Sequence, residues 1–580
     1  MPEHDLVIRG GTVVDGTGAP ARTADVAVTG GVITEVGTVR GGARRTVDAD
    51  GLLVTPGFVD IHTHFDGQAT WDPHLTPSCW HGVTTAIVGN CGVGFAPVRP
   101  GREAWLIELM EGVEDIPGSA LAEGIQWGWE SFPEYLDALD RMPRALDIGT
   151  QLPHAAARAY VMGARAHGDA TAEDLDAMQR IVRDALTAGA LGVSTGRTAG
   201  HRDVHGDPVP GTFAPAAEVE ALLAAMDDVG RGVLELVPAG ISGEVGGDAD
   251  DAMEAELEWI LRAGEAHHRP ITFLVMERGD RPDLWRRWFD EVRAANGRGA
   301  DIRPQVGSRC FGMLMGLQSK VNPLQYRASY RKIGDLPLAE RVARLRDPEL
   351  KARILAEPAE LTGPPAIDHF VEHLFKRLYP LGESLDYEPS REASVAAIAQ
   401  REGRDPWEVL YDLLLGSDGH DFLLHPLLNY GRGSYDGLFD MMSDPMTVQG
   451  LGDGGAHCGI VCDASMTTYL LSHWARDRSR GPLLAIEHVV RRLTGDPAAL
   501  YGLRDRGVLA VGRRADVNLI DFERIGLRHP ELVNDLPAGA GRLVQRSTGY
   551  VETIVAGETV VADGELTDAR PGHLVRGPQT

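Results

Sequence analysis

The sequence predicts an α/β protein. It reads as a (β/α)8 TIM-like barrel with a small β-sandwich made from both chain termini and a helical insertion before the last barrel strand. Three observations carry this prediction. Short apolar runs recur between residues 57 and 455, with helical stretches between several of them. Near-continuous apolar strands separated by helices are what a parallel sheet buried on both faces requires. The two ends of the chain read differently, as short strands with glycine turns. One gap between apolar runs is also far too long for a loop.

In chain order, "HDLVIRGGTVVDG" and "ADVAVTGGVITEVG" open the sequence as β-branched, partly alternating strands. Eight strand-like runs follow: "GFVDIHTH", "TTAIVGN", "ALDIGTQ", "GALGVSTG", "GVLELVPAG", "PITFLVME", "IRPQVGS" and "TVQGLGDGG". "TAEDLDAMQRIVRDALTAG" and "AAEVEALLAAMDDVG" are amphipathic helices between runs. Eight such units suggest a closed barrel. Residues 309–445 form the expected insertion, mostly helical, with "LPLAERVARLRDPELKARILAE" as its strongest helical stretch. The C-terminal "GRRADVNLIDF" and "YVETIVAGETVVADGEL" return to strand character, and "GETVVADG" echoes "GGTVVDG" near the N-terminus. The expected division is 1–56 and 501–580 for the two parts of the sandwich and 57–500 for the barrel.

Composition excludes several classes of function. With 580 residues and 43% hydrophobic content the chain can bury a large core. Lys+Arg 56 against Asp+Glu 84 gives a formal charge of -28, the wrong sign for nucleic acid or an anionic membrane. Cys79, Cys91, Cys310, Cys458 and Cys462 are few and irregularly spaced, which fits free thiols in a reducing compartment. No signal-peptide pattern opens the sequence, and no apolar run reaches the ~20 residues of a membrane span. A cytoplasmic protein is therefore expected. Oligomeric state stays open, a homo-oligomer included.

Active sites of such barrels lie at the C-terminal ends of the strands. His62 and His64 close the first run, one residue apart and so on one face of a strand. Cys91 closes the second and Asp453 the eighth. Imidazole and thiolate are good zinc ligands, and a carboxylate can ligate or move a proton. A metal lowers the pKa of a bound water to about 7. Zinc is the expected metal, with another divalent ion as the alternative.

"LVIRGGTVVDGTG", "TPGFVDIHTHFDGQ", "HGVTTAIVGNCGVGFAPV", "GALGVSTG", "DGGAH" and "RGVLAVGRRADVNLIDF" occur in the order seen in the amidohydrolase superfamily. "GNCG" resembles its N-acyl-D-amino-acid deacylase (D-aminoacylase) branch. The resemblance implies a metal-dependent barrel that hydrolyses the amide bond of a small molecule. It implies His62, His64 and Cys91 as ligands and Asp453 as the acid/base. The substrate it suggests first is an N-acyl-D-amino acid. A cyclic or other specialised amide, or a non-catalytic ligand-binding barrel, stays open from the residues alone.

This sequence departs from the branch at strands five and six, where that branch usually places a histidine each, which makes one metal ion the expectation rather than two. Strand five carries Glu235 inside an apolar run, and a buried carboxylate needs a metal, a cation or a proton. Alternation and this position suggest that Glu235 points toward the metal cluster, as a metal ligand or as an acceptor for one of the histidines. Strand six ends in Glu277 and Arg278, expected either at the substrate or as an ion pair with each other. In the polar loop after strand four, Arg197, His201 and His205 are candidates to meet a substrate carboxylate. His457, just after "GDGGA", is expected to support Asp453 from behind.

Overall fold

The computed structural model describes residues 3–241, 249–358, 360 and 374–577. Eight parallel strand segments follow one another in sequence order. They are Phe58–Asp60, Val83–Val88, Asp147–Thr150 continuing into Leu152–Pro153, Gly192–Gly196, Val233–Val237, Ile271–Leu274, Ile302–Val306 and Val448–Gln449. Each pairs with its neighbours in parallel, from Val59 beside Thr85 through to Gln305 beside Val448. The eighth segment returns to the first through the Asp453 N–H to the His62 carbonyl (2.9 Å) and the His64 N–H to the Gly454 carbonyl (2.7 Å). The "GLGDGG" glycines permit this approach. A Cβ on Gly452 would stand 1.9 Å from Asp60 Oδ2.

The intervening helices form where the sequence carries their signals. Ala172–Ala188 begins at a capping box between Thr171 and Asp174 and ends at Gly189 in the left-handed conformation. Ala216–Val229 ends the same way at Gly230. Both bury an apolar stripe that includes Met178, Val182, Leu222 and Met226.

The two chain ends build one nine-stranded β layer. At its centre, Leu53–Pro56 from the N-terminal part runs antiparallel to Val517–Ile520 from the C-terminal part, with Val54 opposite Leu519. A separate small core of Ile8, Val26, Val54, Val517, Leu519 and Ile554 lies on this layer. Its C-terminal part also reaches the barrel's third strand. There Asp147 is buried between Arg506, Arg514 and His573, with Arg514 Nε 3.0 Å away.

Between strands seven and eight, the inserted segment has its own core around Met315, Tyr330, Ile354, Tyr411 and Leu423. It is not purely helical. Phe311–Gly316, Tyr379–Pro380 and Phe422–Leu428 form an antiparallel three-stranded sheet. The long helical stretch around residue 346 divides into Leu338–Leu345 and Pro348–Ala356. Asp347 caps the second helix at the Glu349 N–H, and Pro348 occupies its first turn, where a missing N–H costs nothing.

Candidate metal centre and active site

His62 and His64 follow the first strand, and both rings are buried. Cys91 follows the second strand on a turn with φ of 56°. A non-glycine residue in that region costs on the order of 1–3 kcal/mol and needs outside support. Two barrel strands supply it. Glu235 Oε2 accepts the Cys91 N–H at 3.1 Å, and Ser194 Oγ accepts the Gly92 N–H at 3.0 Å. The turn holds Cys91 Sγ 3.3 Å from His62 Nε2 and 3.8 Å from His64 Nε2. Asp453, itself at φ 42°, brings Oδ1 to 3.5 and 3.9 Å from the same two nitrogens.

These residues fit a zinc ion. Bonds of about 2.3 Å to sulfur and about 2.1 Å to nitrogen at a tetrahedral centre need N···S separations of about 3.6 Å. Among the described residues, His62, His64 and Cys91 form a group whose ligand atoms all lie within 4.8 Å of one another. The electrostatics ask for a cation. Burial pushes the Cys91 thiol far above its ordinary range, and Glu114, Glu235, Asp453 and Asp66 push the same way. Burial also raises Asp453 well above the carboxylate range, reinforced by Asp463, Asp60 and Glu235. Glu235 is pushed up to about 8 by burial, against the Cys91 N–H that favours its anion. Burial holds His62 down at about 3 and His64 well below normal, so both rings are neutral and can donate a lone pair.

Glu235 lies inside the barrel, fully buried, with Oε1 3.7 Å from His62 Nδ1. It therefore faces the edge of His62 remote from Cys91 Sγ. His201 also comes to the cluster. A Cβ on Gly196 would lie 2.5 Å from the Cys91 carbonyl and 3.5 Å from His201 Nδ1. Burial lowers His201 to about 4.

The other candidate residues have partners of their own in the structure. Arg197 is committed elsewhere, with Nε 2.6 Å from Glu256 and Nη1 donating to the Ala214 carbonyl. His205 is exposed and sits 3.6 Å from Glu108, because its loop hairpin turns outward. Glu277 and Arg278 neither pair with each other nor reach the cluster. Glu277 accepts the Gly431 N–H (2.7 Å) and the Arg432 N–H (3.3 Å), tying the insertion to strand six, while Arg278 pairs with Asp280. His457 faces Glu114. Its Nε2 is 3.7 Å from Glu114 Oε2.

Glu114 was not legible in the sequence. It ends the helix Glu103–Glu114, is 1% exposed, and places Oε1 3.4 Å from His64 Nδ1. Its only sequence signal is that "EGVED" puts acids at a helix C-terminus, where the dipole disfavours them. Asp60 and Asp66 are further buried acids beside the ligands, each raised by burial to about 7.

Comparison with known proteins places the whole chain. A model of the amidohydrolase family matches residues 45–561. An N-acyl-D-glutamate deacylase of Alcaligenes xylosoxydans xylosoxydans is 29% identical, over 99% of this chain and 96% of its own. An N-acyl-D-aspartate deacylase of the same organism is 26% identical, over 99% and 95%. The crystal structure of an N-acyl-D-glutamate deacylase from Bordetella bronchiseptica, complexed with zinc and a phosphonate inhibitor, is 24% identical. It superposes with a TM-score of 0.64 over 99% of this chain and 100% of that one, which shows a shared fold. Because the family model spans most of its length, this chain belongs to the amidohydrolase family.

Proposed function

We propose that the protein hydrolyses the amide bond of an N-acyl-D-amino acid, using one zinc ion held by His62, His64 and Cys91. The observation that carries this reading is the convergence of two imidazole nitrogens, one thiol and Asp453 Oδ1 from three barrel strand ends. When bound, a divalent metal polarises a carbonyl and makes a water acidic enough to attack near neutral pH. The chain does the rest. His62 and His64 present neutral Nε2 atoms, and Glu235 holds the Cys91 turn in its strained conformation. Asp453 takes the proton from the attacking water and returns it to the leaving nitrogen, as a positioned carboxylate can. The peptide groups of Asp453 and His64, tied across the seam between strands eight and one, keep acid and ligands in register. Support for the D-amino-acid substrate comes from the two deacylases that resemble this chain over nearly its whole length.

The test is turnover of paired N-acetyl-D- and N-acetyl-L-amino acids by metal-assayed protein, followed as release of free amine. Preference for the D series supports the reading. Turnover of cyclic amides alone, or none with metal bound, would replace it.

A further inference from the structure

Resting on the metal reading above, we infer that Glu114 is a positioning residue that orients His64 toward the metal and clamps the loop that follows Asp453. Its two oxygens face different histidines. Oε1 is 3.4 Å from His64 Nδ1, and Oε2 is 3.7 Å from His457 Nε2. Neither Glu114 Oε1 nor His64 Nδ1 has a hydrogen-bond partner among the described residues, and both are buried. A proton on Nδ1, on the side of that carboxylate, leaves the Nε2 lone pair free on the side of Cys91 Sγ. Histidine ligands are commonly fixed in this way by a carboxylate behind them. Glu235 stands in the same relation to His62, with Oε1 3.7 Å from Nδ1.

The second half of the argument is the main chain. The Glu114 carbonyl accepts the His457 N–H. The next residue, Asp115, accepts the Gly459 N–H through Oδ2 at 3.2 Å. Two consecutive acids at one helix end thus hold residues 457–459, only a few positions beyond Asp453. His457 is kept at φ 49°, a conformation that needs such restraint. The helix carries no basic residue in its last turn, so these acids oppose its dipole rather than complement it. A sequence that breaks a local rule in the wall of an active site is expected to gain something elsewhere. Here the gain is a common support for a ligand and for the proton-transfer loop.

The experiment compares Glu114→Gln with wild type in zinc affinity, by chelator competition, and in the visible spectrum of the cobalt-substituted protein. A melting curve of the metal-free form is recorded alongside. Zinc binding is expected to weaken about 10–100-fold, with shifted cobalt bands and a metal-free melting transition that stays cooperative. Should Glu114→Gln not fold, Glu114→Asp withdraws the carboxylate by one methylene and is read the same way. Equal affinity and an unchanged cobalt spectrum in the variant would overturn this inference alone. Wild-type protein that binds no divalent metal would overturn the metal reading and this inference with it.

Discussion

Glu235 Oε2 accepts the Cys91 N–H at 3.1 Å, so an acid from the fifth barrel strand holds the turn that follows the second. The bond crosses the barrel interior and reaches a residue in the left-handed conformation. The same carboxylate has its other oxygen 3.7 Å from His62 Nδ1. One buried acid therefore bonds the turn of one expected ligand and faces a second.

Glu235→Gln should accordingly lower metal affinity by about 10–100-fold. The amide oxygen can still accept the Cys91 N–H, but an amide cannot ionise behind His62 when a cation binds, as the carboxyl can. The metal-free protein should melt cooperatively, near wild type. Chelator competition reads the affinity, and an unchanged dissociation constant would remove Glu235 from the site.

Asp453→Asn should keep the metal and lose turnover by about 10²–10⁴-fold. Asparagine is nearly isosteric, and its main-chain N–H still reaches the His62 carbonyl. It cannot take up a proton. A variant with near wild-type kcat would mean that another of the buried acids moves the proton.

Purified protein should carry about one divalent metal per chain. Removing it with a chelator should abolish turnover, and adding zinc back should restore it. Cys91→Ala should weaken binding more than Glu235→Gln does, because it removes a ligand atom rather than a brace. Elemental analysis showing full activity without metal would contradict the site as drawn.

Stability should report how the two chain ends meet. Leu519 is fully buried opposite Val54. Leu519→Ala should cost about 2–5 kcal/mol of stability. Hydrogen exchange should also quicken in Leu53–Pro56, although those residues lie more than 450 positions away in sequence. Protection there that is indifferent to the substitution would separate the two ends.

Glu388 gives a pH dependence of known sign. Burial alone would raise its pKa, but hydrogen bonds from His473 Nε2 (3.0 Å) and Arg478 Nε (3.1 Å) outweigh it and hold the carboxyl at about 2. A depressed carboxyl stabilises the fold above its unfolded pKa of about 4.3 and loses that contribution as pH falls toward 2. Glu388→Gln should be destabilised at pH 6, and its deficit against wild type should shrink as pH drops from about 5 to 2. A deficit independent of pH, read from denaturant midpoints, would show that the carboxylate charge is not what matters.

Much of this molecule is legible in its sequence. The alternation of apolar runs with helical stretches gave the barrel, because a parallel sheet covered on both faces leaves its strands no polar face. His62, His64, Cys91 and Asp453 were legible because each stands at the C-terminal end of a strand, the one end that converges on a common mouth. Glu235 was visible as an acid in an apolar run. Other features depend on distances the sequence does not encode. Arg197 and Glu277 look like site residues in a linear reading, yet Glu256 and the Gly431 N–H take them up. Their neighbours in space come from other parts of the chain. His205 sits in the right loop, but the loop turns it outward. Glu114 lies on a helix between strands, where an acid ordinarily faces water. Only the packing of that helix end against the loop at 457–459 buries it, and only that burial sets its carboxylate behind His64.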